Sequence, residues 1–158
     1  MRVSAKTDYA LRALLVLAEQ APRLVKVEAL TAAEGMPRKF VEVILGELRR
    51  AGLVVSRRGS DGGYGLALPA DRITVGAVVR VLDGPLGVEP PVRAAGATTS
   101  AAIIGDLWTA ATVSVSQVLD RTTVGHLRSG RLPDHVHELA RAGQPVPGPG
   151  SAPGDRTA

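Results

Sequence analysis

Apolar residues recur at helical spacing through most of the chain. The stretch "SAKTDYALRALLVLAEQA" reads as a helix that Ser4 or Thr7 can cap. Tyr9, Leu11, Leu14, Leu15, Val16 and Leu17 make it apolar on nearly every face, so it is expected to be buried on several sides. "VEALTAAEG" is a shorter helix, with Gly35 suited to a left-handed stop. In "PRKFVEVILGELRRAG" Pro37 fits the first turn and Gly52 the end. There Val41, Ile44, Leu45 and Leu48 fall at i, i+3, i+4 and i+7 and form the buried stripe. Arg38, Lys39, Glu42, Arg49 and Arg50 lie largely off it. A short helix, a turn with glycine and a helix with a polar outer start form a helix-turn-helix pattern.

The pattern then changes. "LVVSR" and "YGLAL" are extended runs joined by "RGSDGG", in which Asp61, Gly62 and Gly63 are residues that tolerate the positive φ of a hairpin turn. A glycine-rich loop that cradles phosphate must follow a strand and open a helix. This loop leads into a second extended run blocked by Pro69, and no Lys-Ser/Thr follows its glycines, so it reads as a hairpin tip. A basic hairpin directly after a helix-turn-helix is a wing.

"TVGAVVRVLDG" is a fourth helix with Thr74 as cap and Gly84-Pro85 as stop, followed by a Pro/Gly/Ala-rich connection over residues 85–100. Downstream, Ile104, Leu107, Trp108, Ala111, Val115, Val118 and Leu119 repeat at three- and four-residue steps. They predict a long amphipathic helix, although the alternation in "TVSVSQV" would also fit a strand. One such helix leaves an apolar stripe uncovered, and pairing with its copy would cover it. "LPDHVHELARAG" predicts a short last helix, and the Pro/Gly-rich residues from Gln144 a disordered tail. The expected organisation is a winged helix-turn-helix over 1–84, a connection over 85–100, a dimerisation helix and following turn over 101–127, a short helix over 128–143 and a tail over 144–158. The fold class is mainly α with a small β-hairpin wing.

Charge sharpens this picture. Of the formal net charge of +4, residues 1–80 hold 13 Lys/Arg against 8 Asp/Glu, while residues 81–158 hold 6 against 7. The basic excess lies where a polyanion would bind. The chain has no cysteine, which removes disulfides, Cys nucleophiles and Cys-ligated clusters. His126, His135 and His137 lack metal-ligand spacing and read as solvated. No nucleophile with a base, metal set or cofactor loop suggests an enzyme. No run approaches the ~20 apolar residues of a membrane span, and the N-terminus lacks a cleavage pattern, so a cytoplasmic location is expected.

In order and spacing, "TDYALRALLVLA", "FVEVILGELRRAGLVVSRRGSDGGYGLA", "ITVGAVVRVLDGP" and "LDRTTVGHL" resemble the Rrf2 family of winged-helix transcription regulators over about residues 1–127. The resemblance implies a homodimer whose long helix crosses to the partner and whose two winged units read a near-palindromic operator on double-stranded DNA. It places Glu42 where a carboxylate accepts from cytosine N4, with Arg38, Lys39 and Arg50 as further DNA-facing residues. Phe40 stands where the family often has tyrosine, and Pro37 replaces a common cap serine. Arg57, Arg58, Ser60 and Gly62 would supply the wing contacts. Ile104, Leu107, Trp108, Ala111, Val115 and Val118 would form the dimer interface.

Cluster-binding members carry three cysteines in the connection, where this chain reads "PLGVEPPVRAAGATTSAAIIG". A family variant uses carboxylate and histidine ligands near the first helix, where this chain has Asp8 and Arg12. No iron–sulfur cofactor is therefore expected, and an effector would be a small molecule or a partner protein. The resulting expectation is a DNA-binding repressor without a cluster. The alternative is a protein-interaction module with degenerate DNA binding.

Overall fold

The structure, a computed structural model, describes residues 3–87 and 99–143. Three helices open the chain: α1 (Ala5–Gln20), α2 (Val27–Glu34) and α3 (Arg38–Arg50). A hairpin of β1 (Val54–Arg57) and β2 (Gly63–Leu66) follows. After a 3-10 turn at Ala70–Arg72 come α4 (Val75–Asp83), α5 (Thr99–Arg121), α6 (Val124–Ser129) and α7 (Asp134–Ala142). The fold class is as expected, mainly helical with one antiparallel hairpin. Most of the connection, and the tail expected to be disordered, lie outside the described residues.

The ends of the helices follow their sequence signals. The Ser4 hydroxyl accepts from the Thr7 amide at the start of α1, and Thr74 accepts from Ala77 at the start of α4. Gly35 ends α2 in the left-handed conformation. Leu14, Leu17, Leu30, Ile44, Leu45 and Leu48 are essentially inaccessible and form one core between α1, α2 and α3. Tyr9 and Phe40 meet edge to face at 5.6 Å on its margin, which fixes the start of α3 against α1.

The hairpin pairs Val54 with Leu66 and Arg57 with Gly63. Val25 adds a bridge to Tyr64, its amide donating to the Tyr64 carbonyl at 2.8 Å and its carbonyl accepting from the Tyr64 amide at 2.8 Å. The wing is thus tied to the chain that enters α2.

The segment after the long helix is a helix, α6, and not a turn. Thr123 caps it in a reciprocal box with His126, whose Nδ1 accepts from the Thr123 amide at 3.1 Å. The Val75 amide donates to the Thr122 carbonyl and the Val124 amide to the Ile73 carbonyl, while Val124 is fully buried in the main core. The chain beyond α5 therefore returns into the core of the winged helix. Two histidines also differ from expectation: His126 and His135 are half-buried, and His137 alone of the three is exposed.

The segment read ambiguously as helix or strand is helical throughout α5. The guanidinium of Arg80 on α4 grips the Asp120 carboxylate through two hydrogen bonds of 2.6 Å. Gly76, without a side chain, leaves room for that carboxylate. The hydrogen bonds from Arg80 hold Asp120 below the usual carboxylate range against the opposing effect of burial. Contrary to expectation, Ser100–Arg121, at a mean hydropathy of 1.3, is long and apolar enough by length and composition to cross a bilayer. Its Asp120 is nevertheless committed to an ion pair with the winged helix.

Candidate nucleic-acid interface

Helix α3 is divided lengthwise. Val41, Ile44, Leu45 and Leu48 are buried, so the opposite side is held outward by the core itself. That side carries Arg38, Lys39, Glu42, Val43, Arg49 and Arg50, all exposed, with Gly46 half-buried among them. Arg38 bridges two carboxylates, donating from Nη1 to Glu28 of α2 at 2.8 Å and from Nε to Glu42 at 2.9 Å. The hydrogen bond to Glu42, with the charges of both carboxylates, raises the Arg38 pKa further and keeps it cationic. Lys39 has no ion pair among the described residues. At the far end, Arg49 donates to the Ser56 hydroxyl at 3.1 Å and so ties α3 to β1. Arg50 donates to the Gly46 carbonyl at 3.3 Å. Both cations sit at the negative end of the helix dipole, which favours them there.

The wing tip spans residues 58–62. Within it Gly59 takes positive φ (107°), as does Gly63 (154°) where β2 begins, while Asp61 keeps negative φ. The loop is therefore longer than a two-residue turn and closes through the Gly62 amide donating to the Gly59 carbonyl at 3.0 Å. Gly62 is buried, and a β-carbon there would collide with the Arg57 carbonyl. Its place in the structure is to let the turn close. Arg57, Arg58 and Ser60 are exposed with no side-chain partner among the described residues.

On α5, the six residues assigned to an interface lie along one side of the helix. Leu107 is 60% exposed, Ile104 50% and Trp108 37%, a concentration of apolar surface that a monomer rarely shows to water. Asp120 and Thr112 lie on the side that packs against α4 and Gly87.

Two outward residues of α3 were not singled out from the sequence, Val43 and Gly46. The signal was available, because a valine off the buried stripe and a glycine inside a helix both depart from what folding alone would select.

The residues do not fit an iron–sulfur cluster. The chain has no cysteine, and the described residues hold no group of three His, Asp or Glu that could bind a metal ion. Near the first helix, Arg12 pairs with Asp8 at 2.9 Å and reaches Glu34 at 3.7 Å. Those carboxylates are balanced by a guanidinium.

Residues 3–129 match the Rrf2 family, described as an iron-dependent transcriptional regulator. A Mycobacterium tuberculosis protein named as an HTH-type transcriptional regulator, Rv1287, is 41% identical over 146 residues, covering 89% of each chain. CymR of Bacillus subtilis is 36% identical over 139 residues, covering 82% of this chain and 91% of its own. The solved structure of CymR, the global cysteine regulator of B. subtilis, superposes with a TM-score of 0.69 at 32% identity, covering 82% of this chain and 98% of that one. IscR of T. potens superposes with a TM-score of 0.63 at 26% identity, covering 93% and 94%.

Proposed function

The chain belongs to the Rrf2 family of transcriptional regulators, and from that premise we propose that it is a homodimeric, sequence-specific repressor of a near-palindromic operator, working without an iron–sulfur cluster. The observation that carries this reading is the outward face of α3, set beside a wing whose Arg57 and Arg58 have no partner within the described chain.

The start of α3 enters the major groove, with Lys39 on a phosphate or a guanine edge. Glu42 accepts from cytosine N4 once Arg38 releases it. Arg38 then turns to a phosphate, so one charged partner replaces another and neither group is left unpaired. Arg57 and Arg58 follow the backbone or the minor groove. The α5 stripe pairs with its copy and sets two reading helices about one helical turn of DNA apart, roughly 34 Å. Occupancy of a promoter by the dimer excludes other proteins, which is repression in the cytoplasm where the genome lies. An effector, whether small molecule or partner protein, would act by changing the spacing or angle of the two helices.

The test is a salt titration of binding to duplex DNA, read by fluorescence anisotropy. Four cations per copy, Arg38, Lys39, Arg57 and Arg58, give a dimer a log–log slope of about −7 at −0.9 per phosphate neutralised. A slope near zero would overturn the reading and favour a module that acts through its α5 stripe alone.

A further inference from the structure

The outward face of α3 is charged except at Val43 and Gly46. Val43 is 54% exposed in the middle of the helix, flanked by Glu42 and one turn from Lys39 and Gly46. It contributes nothing to the buried stripe, and a valine in that position favours a helix less than alanine, lysine or glutamate would. Gly46 is the more pointed case. Its conformation is ordinary helix, and beyond its chain neighbours and the adjacent backbone of α3 a β-carbon on it would meet nothing within 4 Å among the described residues. No contact among the described residues requires a glycine there, although glycine within a helix costs about 1 kcal/mol relative to alanine. Neither residue serves packing among the described residues, and both lie on the face that α3 presents.

We propose that Val43 reads the 5-methyl group of a thymine in each half-site, and that Gly46 supplies the absence of side chain that lets α3 sit deep enough for this contact. The inference rests on the DNA-binding reading above. Among the four standard bases, thymine alone presents a methyl group in the major groove, and an apolar surface recognises it. A valine beside a carboxylate gives the helix two independent readers. Glu42 requires a donor on a base edge, and Val43 rewards a methyl. An apolar contact also needs the helix to close to van der Waals distance, since a gap of even 1 Å forfeits much of the attraction. A residue without a side chain one turn away provides that closeness.

The test removes only the methyl groups. A duplex carrying the sequence most enriched when the wild-type protein selects genomic DNA fragments is made with each thymine replaced in turn by deoxyuridine, and its affinity for the wild-type protein and for Val43→Ala is measured. At one thymine per half-site, deoxyuridine should weaken wild-type binding about four-fold, the equivalent of ~0.8 kcal/mol for one buried carbon. Replacing that thymine in both half-sites should weaken it about fifteen-fold. Val43→Ala should bind the thymine duplex more weakly and show a smaller difference between thymine and deoxyuridine at those positions, since its shorter side chain reaches less of the methyl. Because Val43 is exposed, the variant should melt at the wild-type temperature or above. Wild-type binding indifferent to deoxyuridine at every position would overturn the proposal, as would a Val43→Ala protein whose discrimination is undiminished. Absence of wild-type binding to any duplex would instead overturn the DNA-binding reading, and this proposal with it.

Discussion

Replacing Gly46 by alanine should move stability and DNA affinity in opposite directions. Beyond the adjacent backbone of α3 the added methyl meets nothing within 4 Å among the described residues, and the helical backbone at this position suits alanine. The change therefore brings the helix-propensity gain with no steric cost, about 0.8–1 kcal/mol. For a domain of this size that corresponds to a rise in Tm of about 2–4 °C. On DNA the same methyl stands between α3 and the groove. Overfilling a close-packed contact costs about 1–3 kcal/mol, or roughly five- to 150-fold in affinity for each reading helix. Thermal unfolding followed by circular dichroism gives the first quantity, and anisotropy on a labelled operator duplex gives the second. A variant with a raised Tm and undiminished affinity would refute the reasoning, because it would show that α3 does not approach DNA through this face.

Other outcomes follow from the same geometry. Glu42→Ala should relax base preference at one position per half-site, whereas Arg58→Ala should weaken binding to all sequences and flatten the salt slope by about one per copy; competition with mutated operators separates the two. Trp108→Asp places a charge on the α5 stripe and should leave folded monomers, seen as a halved mass in sedimentation equilibrium with unchanged helical content. At Asp83, burial acts to raise the pKa, but the hydroxyls of Ser4 and Thr7, the Ser4 amide and the charge of Lys6 outweigh it and hold the group below its usual range. A depressed folded pKa stabilises at neutral pH and is lost as pH falls through it. The stability advantage of wild type over Asp83→Asn should therefore shrink below about pH 4; an advantage that persists unchanged to pH 2 would contradict it.

Much of the fold was legible because its elements are long enough to show a period and carry explicit caps. Ser4, Gly35 and Thr74 stand at the ends they mark, and in α5 the stripe from Ile104 to Val118 outweighs the brief alternation of "TVSVSQV". Helix α6 was not legible by period, since Val124–Ser129 spans six residues. Its existence depends on the Thr123–His126 cap and on the backbone hydrogen bond from the Val124 amide to the Ile73 carbonyl, a tertiary partner that no local pattern announces. The wing was legible as a hairpin, but which residues adopt positive φ depends on loop length: of Asp61, Gly62 and Gly63 only Gly63 does so, and Gly59 supplies the other position. At the interface, the Arg38–Glu42 pair follows from i,i+4 spacing, whereas Glu28 reaches Arg38 only because α2 and α3 pack together. Val43 and Gly46 escaped notice because departures from helical patterning acquire meaning only once the outward face is known.

The most direct test of the central claim is selection of sheared genomic DNA by the purified protein at near-physiological salt, followed by sequencing of the retained fragments. Enrichment of a near-palindromic motif is expected, with half-sites about one helical turn apart, each containing a cytosine and a thymine on which Glu42 and Val43 act. Recovery of all fragments alike, or of none, would contradict it.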